Sequence, residues 1–175
     1  MANWKFTCAF AQNFGLPPSN LARDTNSGIA RVVNRIAQLA GHPPVVVYAW
    51  PGIGNAYAAP GLPQYGDEEI FYDPLWFQNI MRMYGEPAVI GVLAHEIGHI
   101  VTGIQVPPIF PSWTDEMTAD YFAGVTLARM RQPRNPVKLF IVQQLWMPGP
   151  RYPDGMTRAQ IVELGYVNAG GKGWL

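Results

Sequence analysis

His95-Glu96-Ile97-Gly98-His99 sets two imidazoles four residues apart, with a carboxylate beside the first. Side chains at i and i+4 lie on one face of an α-helix, one turn apart. On a helix, His95 and His99 therefore offer two nitrogens to a single ion, and zinc takes such nitrogens at about 2.0–2.1 Å. Glu96 is placed to touch a metal-bound water and not the metal. The pKa of such a water falls to about 7, so a carboxylate can take its proton near neutral pH. The chemistry implied is hydrolysis with Glu96 as general base and acid. The alternative is a helix with two satisfied core histidines and an incidental glutamate, but these groups are costly to bury without a partner.

A third ligand must come from elsewhere, and Asp115-Glu116-Met117-Thr118-Ala119-Asp120 offers it. Glu116 and Asp120 share a helical face. One division of labour puts Glu116 on the metal and Asp120 one turn on, accepting a hydrogen bond from a ligand histidine. Asp120 as the direct ligand is the main competitor, followed by Asp115. A plain acidic helix start, favourable at the dipole, accounts for the first turn but less well for Asp120. Two histidines and a glutamate leave a fourth position for water, as a catalytic zinc site requires. The third histidine, His42, precedes Pro43-Pro44 and reads as a surface or capping residue.

These residues need elements to hold them. Asn26 or Ser27 caps a helix running to about Ala40, with Ile29, Val32, Val33 and Ile36 at helical spacing. Val45 to Trp50 is a β-branched and aromatic run that reads as a strand, and Asn55–Ala59 and Glu69–Tyr72 as two more. Asp73 caps a helix with Pro74 at its first position, stopped by Gly85. The motif helix opens at Glu86-Pro87 and ends near Gly103. It is apolar nearly all round, the pattern of a core helix. Ser112 or Thr114 caps the next, through about Arg131. Pro136–Trp146 and Met156–Leu164 are the last two.

The chain has 175 residues, a formal net charge of zero and one cysteine, Cys8. That length supports one domain, residues 1–168, followed by a glycine-rich, flexible tail over 169–175. A lone cysteine excludes an internal disulfide and any multi-cysteine zinc site. Without a basic patch, nucleic acid is not an expected partner. No stretch reaches the roughly 18 apolar residues of a membrane helix. Residues 1–14 lack a signal-peptide pattern. The expected protein is soluble, cytoplasmic if Met1 is the native start, and periplasmic or secreted if a leader has been removed.

Three separated segments resemble the gluzincin metallopeptidases, and within them the heat-shock-related and CAAX-prenyl metalloproteases. They are Asn55-Ala56-Tyr57-Ala58-Ala59-Pro60-Gly61, Val92 to His99, and Asp115 to Asp120 with Ala123-Gly124. The resemblance covers roughly residues 45–165. It implies that His95, His99 and Glu116 hold one zinc ion, that Glu96 is the general base and acid, and that Asp120 supports a ligand histidine. It also implies that Asn55, Ala56, Tyr57 and Ala58 form an edge strand above the site, able to hold an extended peptide. The family often carries a histidine-proline pair near the C-terminus, where this chain has Tyr152-Pro153. A Tyr152 hydroxyl could stabilise an oxyanion; a packed surface aromatic is the equal alternative. Arg158 orients Asp120 or a substrate carboxylate, or is a plain helix-surface arginine, the simpler reading. The family's membrane-embedded members have transmembrane helices that this chain lacks, so their membrane substrates do not transfer.

The expected fold is α+β and zincin-like. It has a small antiparallel or mixed sheet with an edge substrate strand, packed on the HExxH helix and the glutamate-bearing helix. The expected function is a zinc metalloendopeptidase acting on a peptide or protein. The rivals are a zinc hydrolase or tailoring enzyme on a non-peptide or single specific partner, and a non-catalytic zinc-site binding module.

Overall fold

Ser27 starts the first helix, α1 (Gly28–Leu39), by accepting the Ala30 N–H at 3.1 Å. This satisfies an amide that a helix start leaves bare. Asp24 holds Ser27 in turn, taking its N–H at 3.0 Å and its hydroxyl, and also receives the Tyr72 hydroxyl at 2.7 Å. Helix start and sheet are thereby tied together. The computed structural model describes residues 17–59, 68–101, 115–144 and 153–172.

Three strands follow the expected runs: β1 (Val46–Ala49), β2 (Ala56–Ala59) and β3 (Glu69–Tyr72). The sheet is mixed. β3 is central, parallel to β1 and antiparallel to β2. Side chains alternate across it as the pleat demands. Ala56, Ala58, Ile70 and Tyr72 belong to the main core, and Tyr57, Ala59 and Phe71 to a second cluster with Tyr48 and Ile53. There the Tyr48 and Tyr57 rings each stack on Phe71 with centroids 5.2 Å apart. β2 is an edge strand among the described residues, yet Ala56–Ala59 are at most 1% exposed.

Asp73 caps α2 (Pro74–Tyr84) as its position predicts, accepting Leu75 N–H at 2.8 Å. It does more than cap. Its other oxygen takes the N–H groups of Gly52 and Gly54 at 3.0 and 2.8 Å. Both glycines have positive φ, +88° and +60°, a conformation that favours glycine and turns their amides to the carboxylate.

The helices that matter for the site are α3 (Glu86–Val101), α4 (Asp115–Arg129) and α6 (Gly155–Asn168), with α5 (Asn135–Gln144) closing the side. α3 is buried nearly all round, and its last two turns carry the HExxH residues. Glycines let the helix backbones meet. A Cβ on Gly98 of α3 would stand 2.8 Å from Ala119 Cα of α4. A Cβ on Gly124 would strike the Val162 carbonyl of α6, and one on Gly165 the Tyr121 carbonyl of α4. A helix-interior glycine costs about 0.5–1 kcal/mol against alanine. Here that cost is offset by close packing of three helices.

α6 is longer than its hydrophobic pattern suggests at both ends, because Asp154 caps it one residue early and its buried face continues to Gly165. The following chain is hydrogen-bonded back: Gly171 N–H reaches Tyr166 O at 2.9 Å, and Arg134 donates to Lys172 O at 2.8 Å. α4 ends at Arg129, with Arg131 just beyond at a φ of +56°. The expected caps Ser112 and Thr114, the turn at Pro60-Gly61 and Trp146 lie outside the described residues. No helix of the described residues is long and apolar enough to cross a membrane.

Candidate metal centre

One turn of α3 puts the Nε2 atoms of His95 and His99 3.1 Å apart, with the rings nearly perpendicular. Glu116, in the first turn of α4, reaches both. Its Oε2 stands 3.3 Å from His95 Nε2, and its Oε1 3.6 Å from His99 Nε2. Donors about 2.0–2.1 Å from one tetrahedral ion stand roughly 3.4 Å from each other. The three observed separations bracket that value within a few tenths of an ångström. The buried triad could hold a metal ion. Glu116 Oε2 supports this, because it is buried and its approach to His95 misses hydrogen-bond geometry, leaving it without a hydrogen-bond partner among the described residues. Two imidazoles and a carboxylate suit zinc and its first-row neighbours.

Behind His95 the structure places a second layer. Asp120 Oδ1 lies 2.9 Å from His95 Nδ1, the nitrogen turned away from Glu116. Arg158 of α6 clamps Asp120 with both ends of its fork, Nε to Oδ2 at 2.7 Å and Nη2 to Oδ1 at 2.8 Å. Nη2 also lies 3.6 Å from Glu116 Oε2. Arg158 is only 1% exposed, so it is not a helix-surface arginine. The reason is the close approach of α6 to α4, where Gly124 lies against Val162 and Gly165 against Tyr121, which lets the long arginine side chain end inside the core. Helical spacing alone gives Gly98, Gly124 and Gly165 no packing role, although Gly124 stands in a segment that carries the family resemblance. Their signal was available: glycine inside a helical pattern marks a place where another backbone comes near.

The electrostatics follow. Burial acts to keep His95 neutral, but the Asp120 and Glu116 carboxylates outweigh it and raise its pKa to about 9. Burial and the neighbouring His95 charge push His99 down to about 2. Burial would raise the Asp120 carboxyl, but Arg158 and His95 together lower it to about 2. In the metal-free centre, one imidazole is therefore charged and the other neutral. Three carboxyl groups on α3 and α4, those of Glu96, Glu116 and Asp120, are buried against one guanidinium on α6, that of Arg158, an excess of acidic over basic groups. A divalent cation cancels that excess, and buried charge needs such compensation.

Glu96 has no solvent exposure, and its Oε2 accepts the Ala58 N–H at 2.8 Å. Pairing of β2 with β3 sets this up. Asp73 N–H bonds Asn55 O at 2.8 Å, so Ala56 and Ala58 fall on the alternate positions whose amides point away from β3. The Ala56 N–H is taken by Asn55 Oδ1 at 2.8 Å, while Asn55 Nδ2 has no hydrogen-bond partner among the described residues. The Tyr57 side chain lies on the opposite face of the sheet from Ala58, in the aromatic cluster. His42 sits apart, with its Nε2 2.9 Å from Glu68 Oε2. Tyr152 lies outside the described residues.

Compared with known proteins, the chain matches no family model, no curated protein and no solved structure.

Proposed function

We propose that this chain is a zinc metallopeptidase of the gluzincin type, with His95, His99 and Glu116 as ligands and Glu96 as general base and acid. The observation that carries the proposal is the convergence of two Nε2 atoms and one carboxylate at 3.1–3.6 Å, with Asp120 2.9 Å from Nδ1 of His95. When bound there, zinc supplies Lewis-acid polarisation of a carbonyl and a water acidic near neutral pH.

The chain's own residues do the rest. Glu96 takes a proton and delivers it to the leaving amine, the usual work of a positioned carboxylate. The Ala58 N–H holds one oxygen of Glu96 at 2.8 Å and so orients the carboxylate. Asp120 holds the His95 Nδ1 proton and so turns Nε2 to the metal, and Arg158 fixes Asp120. Asn55 to Ala58 are the proposed substrate strand, which requires a substrate to displace what now buries them, since Ala56–Ala59 are at most 1% exposed. Tyr152 is proposed to stabilise the oxyanion.

Glu96→Gln is expected to retain metal and lose activity by about 10²–10⁴-fold. Elemental analysis and peptide-library cleavage check both halves, and a fully active variant would refute the mechanism. The depth of the site supports a second reading, a metal held for structure: His95, Glu96 and Glu116 are each 6% exposed or less. Metal-loaded protein that cleaves no peptide in the library, yet melts on chelation, would favour that reading.

A further inference from the structure

A crevice of about 360 Å³ opens between α1 and α2, away from the metal centre. Ile29 of α1, Pro74, Phe77 and Met81 of α2, and Val89 of α3 give it apolar walls, and Tyr72 of β3 closes the end. The Tyr72 hydroxyl is already committed to Asp24, so the ring presents no free donor inward. Among the described residues, the crevice lining carries one charge, on Arg82. Arg82 is exposed, and its Nη2 donates to Asn79 Oδ1 at 2.9 Å, one turn back along the helix. No carboxylate pairs with it among the described residues. The Asn79 bond steadies the guanidinium and leaves other N–H groups for an anion.

Pockets of roughly 300–1,000 Å³ with apolar walls and a few polar groups are typical of small-molecule sites. At about 30 Å³ per methylene, similar to a water's share of liquid volume, the crevice fits an unbranched chain of roughly ten to twelve carbons. Met81 adds an adaptable wall, 44% exposed at the mouth. An uncharged hydrocarbon would leave Arg82 unused, and a small polar anion would leave the walls wet.

We propose that this crevice binds one free long-chain carboxylate, with its chain against Phe77, Ile29 and Val89 and its head on Arg82. The test is calorimetric titration of the full chain with dodecanoate and with dodecan-1-ol, both below micelle formation. Dodecanoate is expected to bind with a Kd on the order of 10–100 μM. Arg82→Gln should weaken dodecanoate by up to about fivefold and leave the alcohol unchanged, since the ion pair is exposed. Gln78→Trp, an exposed position on the wall, should block both, and thermal melting checks that each variant is folded. The proposal is overturned by no binding, by equal affinity for acid and alcohol in the unmodified protein, or by undiminished binding in Gln78→Trp. Binding seen only with anionic phospholipid vesicles also overturns it and assigns the surface to membranes.

Discussion

Phe71 at the centre of the sheet and Glu96 on α3 have no solvent exposure, and different physics keeps each there. Phe71 is stacked between Tyr48 and Tyr57 with Trp50 edge-on, and burial of its apolar ring is favourable in itself. The α3–α4–α6 region buries six ionisable groups within a few ångströms. Several are held by one another or by backbone: Arg158 by Asp120, Asp120 by His95, and Glu96 by a strand amide. Aromatic burial tolerates loss of one member in proportion to the surface lost. A buried charge network does not, because the partner left behind is uncompensated. The helical region is the one that could hold a metal ion.

Breaking each region in turn should expose this asymmetry. The largest effect is expected for Arg158→Met, which leaves Asp120 buried without its clamp. We expect a loss of about 3–5 kcal/mol, or a Tm lower by roughly 10 °C, with metal affinity down about 10–100-fold. Calorimetric melting and competitive metal titration measure the two effects.

A proton linkage comes next. The pKa of His95 in the metal-free centre is raised to about 9, so its proton must leave when a metal enters. Metal uptake at pH 7 should release about one proton, and affinity should rise about tenfold per pH unit until it levels near pH 9. Titration in buffers of different ionisation enthalpy counts that proton, and a pH-independent affinity between pH 6 and 8 contradicts the linkage.

In the aromatic region, Phe71→Leu should cost about 1–2 kcal/mol and leave metal content unchanged. An equal loss of metal in this variant would erase the distinction between the two regions. The smallest effect is at Asp24. Partial burial opposes its ionisation, but hydrogen bonds from Ser27 and Tyr72 hold its carboxyl below the usual range. Its contribution is full above the ordinary carboxylate pKa and fades as pH falls through its lowered value. Asp24→Asn should therefore flatten the acid limb of the stability curve slightly, as urea melts between pH 5 and pH 2 can show.

Much of the local structure was legible in the residues themselves. Ser27 and Asp73 cap helices because their side chains reach amides two or three residues on, a local matter. β3 was read at its observed bounds from a β-rich run. Arg158 is left open by the sequence, between orienting Asp120 and a place on the helix surface, and only the structure puts it on Asp120. A helix with Arg158 beside Ala159, Ile161 and Val162 does not say which face the arginine shares with the core, because a long side chain can reach either way. Sheet order was equally hidden. β1 and β3 pair although β2 lies between them in sequence, and no local signal encodes a crossover.

The sequence by itself determined the pairing of His95 with His99, since the helical repeat sets residues four apart on one face whatever surrounds them. Only the tertiary structure decided which carboxylate meets them and what stands behind. Glu116, Asp120 and Asp115 share one short segment, and the close approach of Gly98 to Ala119 sets Glu116 against the Nε2 atoms and Asp120 against Nδ1. Arg158 arrives from 38 residues beyond Asp120 because two glycines let α6 touch α4. Spacing along a helix is a property of the chain, whereas distances between helices depend on backbones that must first pack.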